Sequence, residues 1–300
     1  MPGAVTWLLM ALTAGAVAAE VWGVWHWRLA IRSRRGDAGS EAGSTSDRSW
    51  TTAGWGPAGV VALVGAGALA VLGFEMATDG QWRPLASHLH GLLLLSALLA
   101  GAIVFLWLRT RLTGLTLLAT PVLAFFLLWA VCASWWTFRL FELNAVVAAW
   151  SWLHLGGVYA GTAAAVLAAT GGVAYLWAQR SLRRHQGGPK LLGLGSLERL
   201  ERWTADAASL GFVLLTVGLV SGLVILAETP GAIGGGVWGW VKVGLASVAW
   251  ATYAAAMFTR RSEIMRGSRG AWLAIGGFVL LVVVYGIVVT LPSAPAGGGS

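Results

Sequence analysis

Residues 85–108 read LASHLHGLLLLSALLAGAIVFLWL, and after Arg109-Thr-Arg111 the chain resumes at 112–134 with LTGLTLLATPVLAFFLLWAVCAS. Neither stretch contains Asp, Glu, Lys or Arg. About 20 apolar residues carry a helix across a ~30 Å hydrocarbon core. A short connection holding two arginines turns the chain back at a membrane surface. Inside lipid every backbone polar group must be satisfied internally, so each stretch is expected as a helix. The apolar runs are continuous and do not alternate, which excludes the strands of a membrane barrel.

Outward from this hairpin, six more apolar segments appear, at 5–27, 59–76, 150–179, 207–227, 238–258 and 271–291. The expected fold is therefore an all-α membrane protein, a bundle of eight transmembrane helices. Composition agrees: 57% of side chains are hydrophobic and 11% charged, where a soluble domain carries about 25% charged. The mean hydropathy is +0.74. Pro121 inside the fourth segment predicts a kink, since it removes a donor and crowds the preceding turn. The single Cys132 excludes an internal disulfide and any multi-cysteine metal site. The net charge of +8 sits in short loops rather than on one domain face, so nucleic acid is not an expected partner.

Sidedness follows from the basic residues. With the amino terminus outside, every one of the 20 Lys and Arg residues except Arg83, Arg139 and Lys242 falls on the cytoplasmic side. Both termini are accordingly expected outside. Residues 1–27 form the first transmembrane helix. Ala16, Ala18 and Ala19 near its end resemble a signal-peptide cleavage site, but the basic residues follow the apolar run instead of preceding it, which favours an uncleaved anchor. Residues 28–56, rich in Gly, Ser, Thr and charge, are expected as a disordered cytoplasmic loop. Helices two to four and an outer loop occupy 57–149, helices five to eight 150–292, and a disordered tail 293–300. Between 180 and 206, Leu194, Leu197 and Leu200 among Arg199, Glu201 and Arg202 suggest a short interfacial helix.

Tryptophan, at 19 residues, falls mostly at the two ends of the segments, as aromatic belts do. Trp238-Gly-Trp240 stands apart: two flat rings after the run Gly234–Gly236 could stack on a planar ligand. Among the histidines, His26 and His185 lie with the arginines, whereas His88, His90 and His154 lie at outer helix ends. From His154 the helical face continues Gly157, Gly161, Ala165, Ala168 and Gly172, small residues of the kind that bring helices close. His154 thus heads a packing face and is the leading ligand candidate. His90, heading Leu94, Ala97 and Gly101, is second. His88 heads Leu92, Leu95 and Leu99, which reads as a lipid-facing row. The plainer alternative for His154 is a neutral ring bonded to a carbonyl. Glu20 within the first helix is costly unless protonated or paired, and Glu75 at the outer end of the second is expected to be hydrated. Gly211, Gly218 and Gly222 share one face of the sixth helix, a packing pattern. No HExxH, phosphate loop, GxSxG or paired carboxylates occur in the spans, so no enzymatic activity is expected.

From Trp152 onward the order of features resembles the cytochrome c assembly family of membrane proteins, and more closely its eight-helix HemX-like or YpjD-like inner-membrane branch. The matching elements are Trp152-Leu-His154-Leu with Tyr159, then Ser196-Leu-Glu198-Arg199-Leu before the glycine-bearing helix. Val237-Trp238-Gly-Trp240-Val-Lys242 looks like a shortened tryptophan-rich haem-handling motif. Trp250-Ala-Thr-Tyr253 and Arg266-Gly-Ser-Arg269-Gly-Ala-Trp272 follow, with Tyr285-Gly286 in the last helix.

The resemblance implies haem as cofactor, handled at the outer face of a bacterial cytoplasmic membrane, with His154 as axial ligand. His90 or His88 would stand in as the second metal ligand. Trp238 and Trp240 would wall the ring, and Lys242 or Arg139 would meet the propionates. It also implies cytochrome c maturation proteins or a haem-synthesis enzyme as partners besides the lipid bilayer. The sequence departs from the family where the acidic end of the tryptophan motif is reduced to Val241-Lys242-Val243, and where no histidine follows the last helix. Two rival functions stay open: a non-catalytic HemX-like regulator or scaffold acting through its cytoplasmic loops, and, less favoured, a small-molecule carrier.

Overall fold

A computed structural model of the chain describes residues 4–37, 56–78, 88–110, 113–136, 145–184, 194, 196–228, 237–258 and 267–290. Among them are eight helices and no strand: α1 Ala4–Asp37, α2 Gly56–Thr78, α3 His88–Thr110, α4 Thr113–Trp136, α5 Ala145–Arg183, α6 Leu197–Glu228, α7 Val237–Phe258 and α8 Ser268–Thr290. All eight are long and apolar enough to cross a membrane. The all-helical, eight-span architecture is therefore as the apolar runs require.

Two boundaries differ from expectation. The first ten residues of the polar stretch after residue 27 continue α1 as far as Asp37. The expected loop at 28–56 begins later, and residues 38–55 lie outside the described set, as does the tail 293–300. The separate interfacial helix is not separate, because Leu197 opens α6, which runs 32 residues without a break. The leucines and charges there continue one helical register, and a salt bridge between Glu198 and Arg202 at 2.8 Å supports it. α4 passes through Pro121 as one helix.

The chain forms two compact units. One comprises Met1–Pro84, Leu92–Phe138 and Trp177–Leu197. Here α1 lies against α2 and α4. Leu12 packs onto Gly67, and the Thr6 and Ser134 hydroxyls meet at 3.3 Å. Gly65 admits Ala100 so closely that an added Cβ would lie 2.7 Å from its methyl. α3 is buried nearly all round: Leu92, Leu93, Leu95, Leu99, Ile103 and Leu106 are at most 1% exposed. The row Leu92, Leu95 and Leu99, expected to face lipid, is core. The outward positions of α3 are Leu98, Phe105 and Leu108. A leucine-rich helix carries no sequence mark of which side faces lipid. Glu75, expected to be hydrated, is buried at 7% exposure.

The second unit comprises Leu85–Gly91, Arg139–Leu176 and Glu198–Ser300. Its core joins Ala165 and Ala168 of α5, Ala207, Ala208 and Leu215 of α6, Tyr253 of α7 and Ala274 of α8. With no hydrophobic drive between helices in lipid, packing and interhelical hydrogen bonds hold such a core. Trp250 of α7 donates Nε1–H to Thr216 Oγ1 of α6 at 2.8 Å. Tyr253 fills the notch left by Gly277 of α8.

Candidate functional site

The seam between α5 and α6 positions His154. The small-residue face predicted for α5 is real, and glycine is what allows it. An added Cβ on Gly157 would lie 2.9 Å from the Leu214 carbonyl oxygen and 2.8 Å from the Gly218 nitrogen. On Gly161 it would meet Leu215 at 2.9 Å. From the other side Gly211 receives Ala164 and Ala165, Gly218 receives Val158, and Gly222 receives the imidazole of His154. The row Gly211, Gly218 and Gly222, read from sequence as packing alone, also makes the seat for the ligand candidate.

His154 Nδ1 lies 2.6 Å from the carbonyl oxygen of Gly218. A carbonyl only accepts, so Nδ1 carries the proton and donates it. In the neutral ring the lone pair is then on Nε2. Nε2 makes no hydrogen bond to any described residue, and the half-buried ring is not sealed in. Ser221 Oγ donates to the same Gly218 oxygen at 3.0 Å. This meets the plainer reading of His154 as a ring bonded to a carbonyl. It is also the arrangement seen in metal-binding histidines, whose second nitrogen donates to a carbonyl or carboxylate that fixes tautomer and orientation.

The remaining candidates are distributed as follows. His90 is buried, at 2% exposure, in the first turn of α3. Its neighbour Gly91 packs on the hydroxyl of Tyr159. Tyr159 lies five residues after His154, about 140° round α5 at ~3.6 residues per turn. The first turn of α3 thus reaches α5 on a different face from the one that holds His154. Trp240, in the first turn of α7, is 69% exposed, and Lys242 is half-buried. The side chains of Trp238 and His88 and the whole of Arg139 lie outside the described residues. Among the described residues no three His, Cys, Asp or Glu side chains cluster as a metal site. Haem asks for less, one or two axial ligands and flat walls. An imidazole whose orientation is fixed by the Gly218 carbonyl is able to supply one such ligand.

The sequence profile of the family described as "Cytochrome C assembly protein" matches residues 85–293. The chain belongs to this family. Among curated proteins it is similar to "Cytochrome c biogenesis protein CcsA" of Synechococcus sp. (strain RCC307), 38% identical over 89 residues, 29% of this chain and 27% of that protein. The CcsA of Prochlorococcus marinus (strain MIT 9303) is 37% identical over 95 residues, 31% and 29% of the two chains. That of Spinacia oleracea is 32% identical over 90 residues, 30% and 27%. These alignments span under a third of the length of each relative. No solved structure matches.

Proposed function

We propose that this chain binds or presents haem during cytochrome c assembly, at the outer face of a bacterial cytoplasmic membrane, with His154 as axial ligand and without turnover chemistry of its own. The observation that supports this most is the seat of His154: Nδ1–H held by the Gly218 carbonyl, with Nε2 left for iron. When bound, haem would supply an iron able to accept an imidazole nitrogen, and two anionic propionates. The residues of this chain do the rest. Gly222 lets the imidazole lie against α6, Gly218 sets its tautomer, Trp240 offers an indole face, and Lys242 a cation for a propionate. The names of the cyanobacterial and plant relatives point to the same pathway, and cytochrome c maturation proteins are the expected partners.

The test is haemin titration of the full chain purified in mild detergent. Wild type should develop a Soret band of a histidine-ligated haem. His154→Gln, whose amide can still donate to the Gly218 carbonyl, should fold and lose that band. His154→Gly should regain it when imidazole is added. A Soret band unchanged in both variants would remove His154 from the site. A wild type that takes up no haemin would favour the scaffold reading.

A further inference from the structure

Along α1 one helical face carries Met10, Ala14, Val17, Val21 and Trp25 at spacings of three and four residues, and these line an open apolar groove of about 840 Å³. That volume lies in the range of small-molecule sites, ~300–1,000 Å³. Leu128 and Val131 of α4 also line it. Toward the carboxy-terminal end of the groove stand Trp22 and Trp25, both exposed. The His26 ring lies 5.7 Å from that of Trp22 and 5.0 Å from that of Trp25.

α1 does not stop where the groove does; it continues to Asp37. The same three-and-four spacing from Val21 and Trp25 leads to Arg28, Arg32 and Arg35. At 100° per residue, Arg28 and Arg32 fall about 20° from the centre of the groove face and Arg35 about 40° from it. Arg28 is exposed. One face of one helix is thus apolar for four turns, and over the next two turns the positions in register with it are arginines. The groove from Met10 to Trp25 is about 22 Å long at ~1.5 Å per residue. One leaflet of a ~30 Å core is about 15 Å deep. An acyl chain entering beside Arg28 therefore lies wholly within the groove.

We infer that this face is a binding site for an anionic phospholipid, with an acyl chain along Ala14–Trp25 and the phosphate at Arg28, Arg32 and Arg35. A tail gains little by leaving other tails for the groove, since both are apolar. Selectivity must come from the headgroup, and three aligned cations favour negative charge there. The site does not depend on the haem reading.

The experiment is native mass spectrometry of the full chain in micelles with equimolar phosphatidylglycerol and phosphatidylcholine, counting the first lipid retained. Phosphatidylglycerol should lead severalfold. Arg28→Gln, Arg32→Gln and Arg35→Gln should each lower that preference roughly fivefold or bring it to parity, and the triple variant should show none. Ala18→Trp, which fills the groove and keeps the cations, should lower retention of the first lipid of either kind. Equal retention by wild type, or a preference that survives the triple variant, overturns the inference. So does a wild-type dimer that Ala18→Trp dissociates, because the groove would then belong to a second copy. Unchanged helicity by circular dichroism separates these outcomes from misfolding.

Discussion

Replacing Gly222 with Ala adds one methyl group at the point where α6 meets His154. The new Cβ would lie 2.8 Å from both Cε1 and Nδ1 of the imidazole, so the ring must move, and it cannot move far while Nδ1 stays 2.6 Å from the Gly218 oxygen. Alanine is favoured over glycine in a helix by about 1 kcal/mol. Against this, overpacking costs roughly 1–3 kcal/mol, and a weakened hydrogen bond about 1 kcal/mol more. The expected net effect is destabilisation by about 1–3 kcal/mol. Disturbing a partner that orients a metal-binding histidine typically lowers affinity about 10–100-fold, and haemin titration of Gly222→Ala should show a loss of that size. Gly211→Ala provides the control on the same helix face. Its Cβ would sit 3.6 Å from its nearest neighbours, an ordinary contact, so it should melt no lower than wild type and bind haemin as well. Equal haemin affinity in Gly222→Ala and wild type, or equal losses in both variants, would refute the idea that the glycine seat orients His154.

Gly91→Ala should destabilise by roughly 1–3 kcal/mol because its Cβ runs into the Tyr159 phenol, whereas Gly101→Ala on the same helix meets nothing within 4 Å and should gain up to about 1 kcal/mol; thermal melts in detergent compare the two. Trp250→Phe removes the donor to Thr216 and should cost about 1 kcal/mol, with a double-mutant cycle against Thr216→Val showing coupling of similar size. Glu201→Ala should loosen the start of α8, where Glu201 Oε1 accepts from the Gly267 N–H at 3.2 Å, by about 1 kcal/mol, and faster amide exchange there would show it. Gly267→Ala should cost as much or more, since Gly267 has φ of +74° and its Cβ would lie 2.9 Å from the Tyr175 hydroxyl.

The spans were legible because lipid leaves the backbone no alternative to a helix, so twenty apolar residues decide the matter. The α5 face below His154 was legible for a related reason: in a membrane, small residues at helical spacing have little use except close approach. What sequence could not give was direction. In α3, leucines on every side hide which of them meet lipid: Leu92, Leu95 and Leu99 read as an outward row and are core. Glu75 stands near a helix end, where a carboxylate is ordinarily wet, yet it is buried. Gly218 and Gly222 read as packing positions in the sequence, and nothing there shows that they seat His154. A periodicity reveals that a face packs, not which atom arrives to fill the gap. Spacing between 154 and 218 carries no signal that one backbone oxygen serves one imidazole.

Two helices that interlock through side chains can slip past each other by exchanging rotamers, and so absorb small displacements. At Gly157, α5 and α6 have less room for this, because an added Cβ there would meet the Leu214 carbonyl and the Gly218 nitrogen, backbone against backbone. From Arg202, at the charged end of α6, to Gly222 under the imidazole is about 30 Å at ~1.5 Å per residue, so a shift of α6 along its axis is expected to carry the seat of His154 with it.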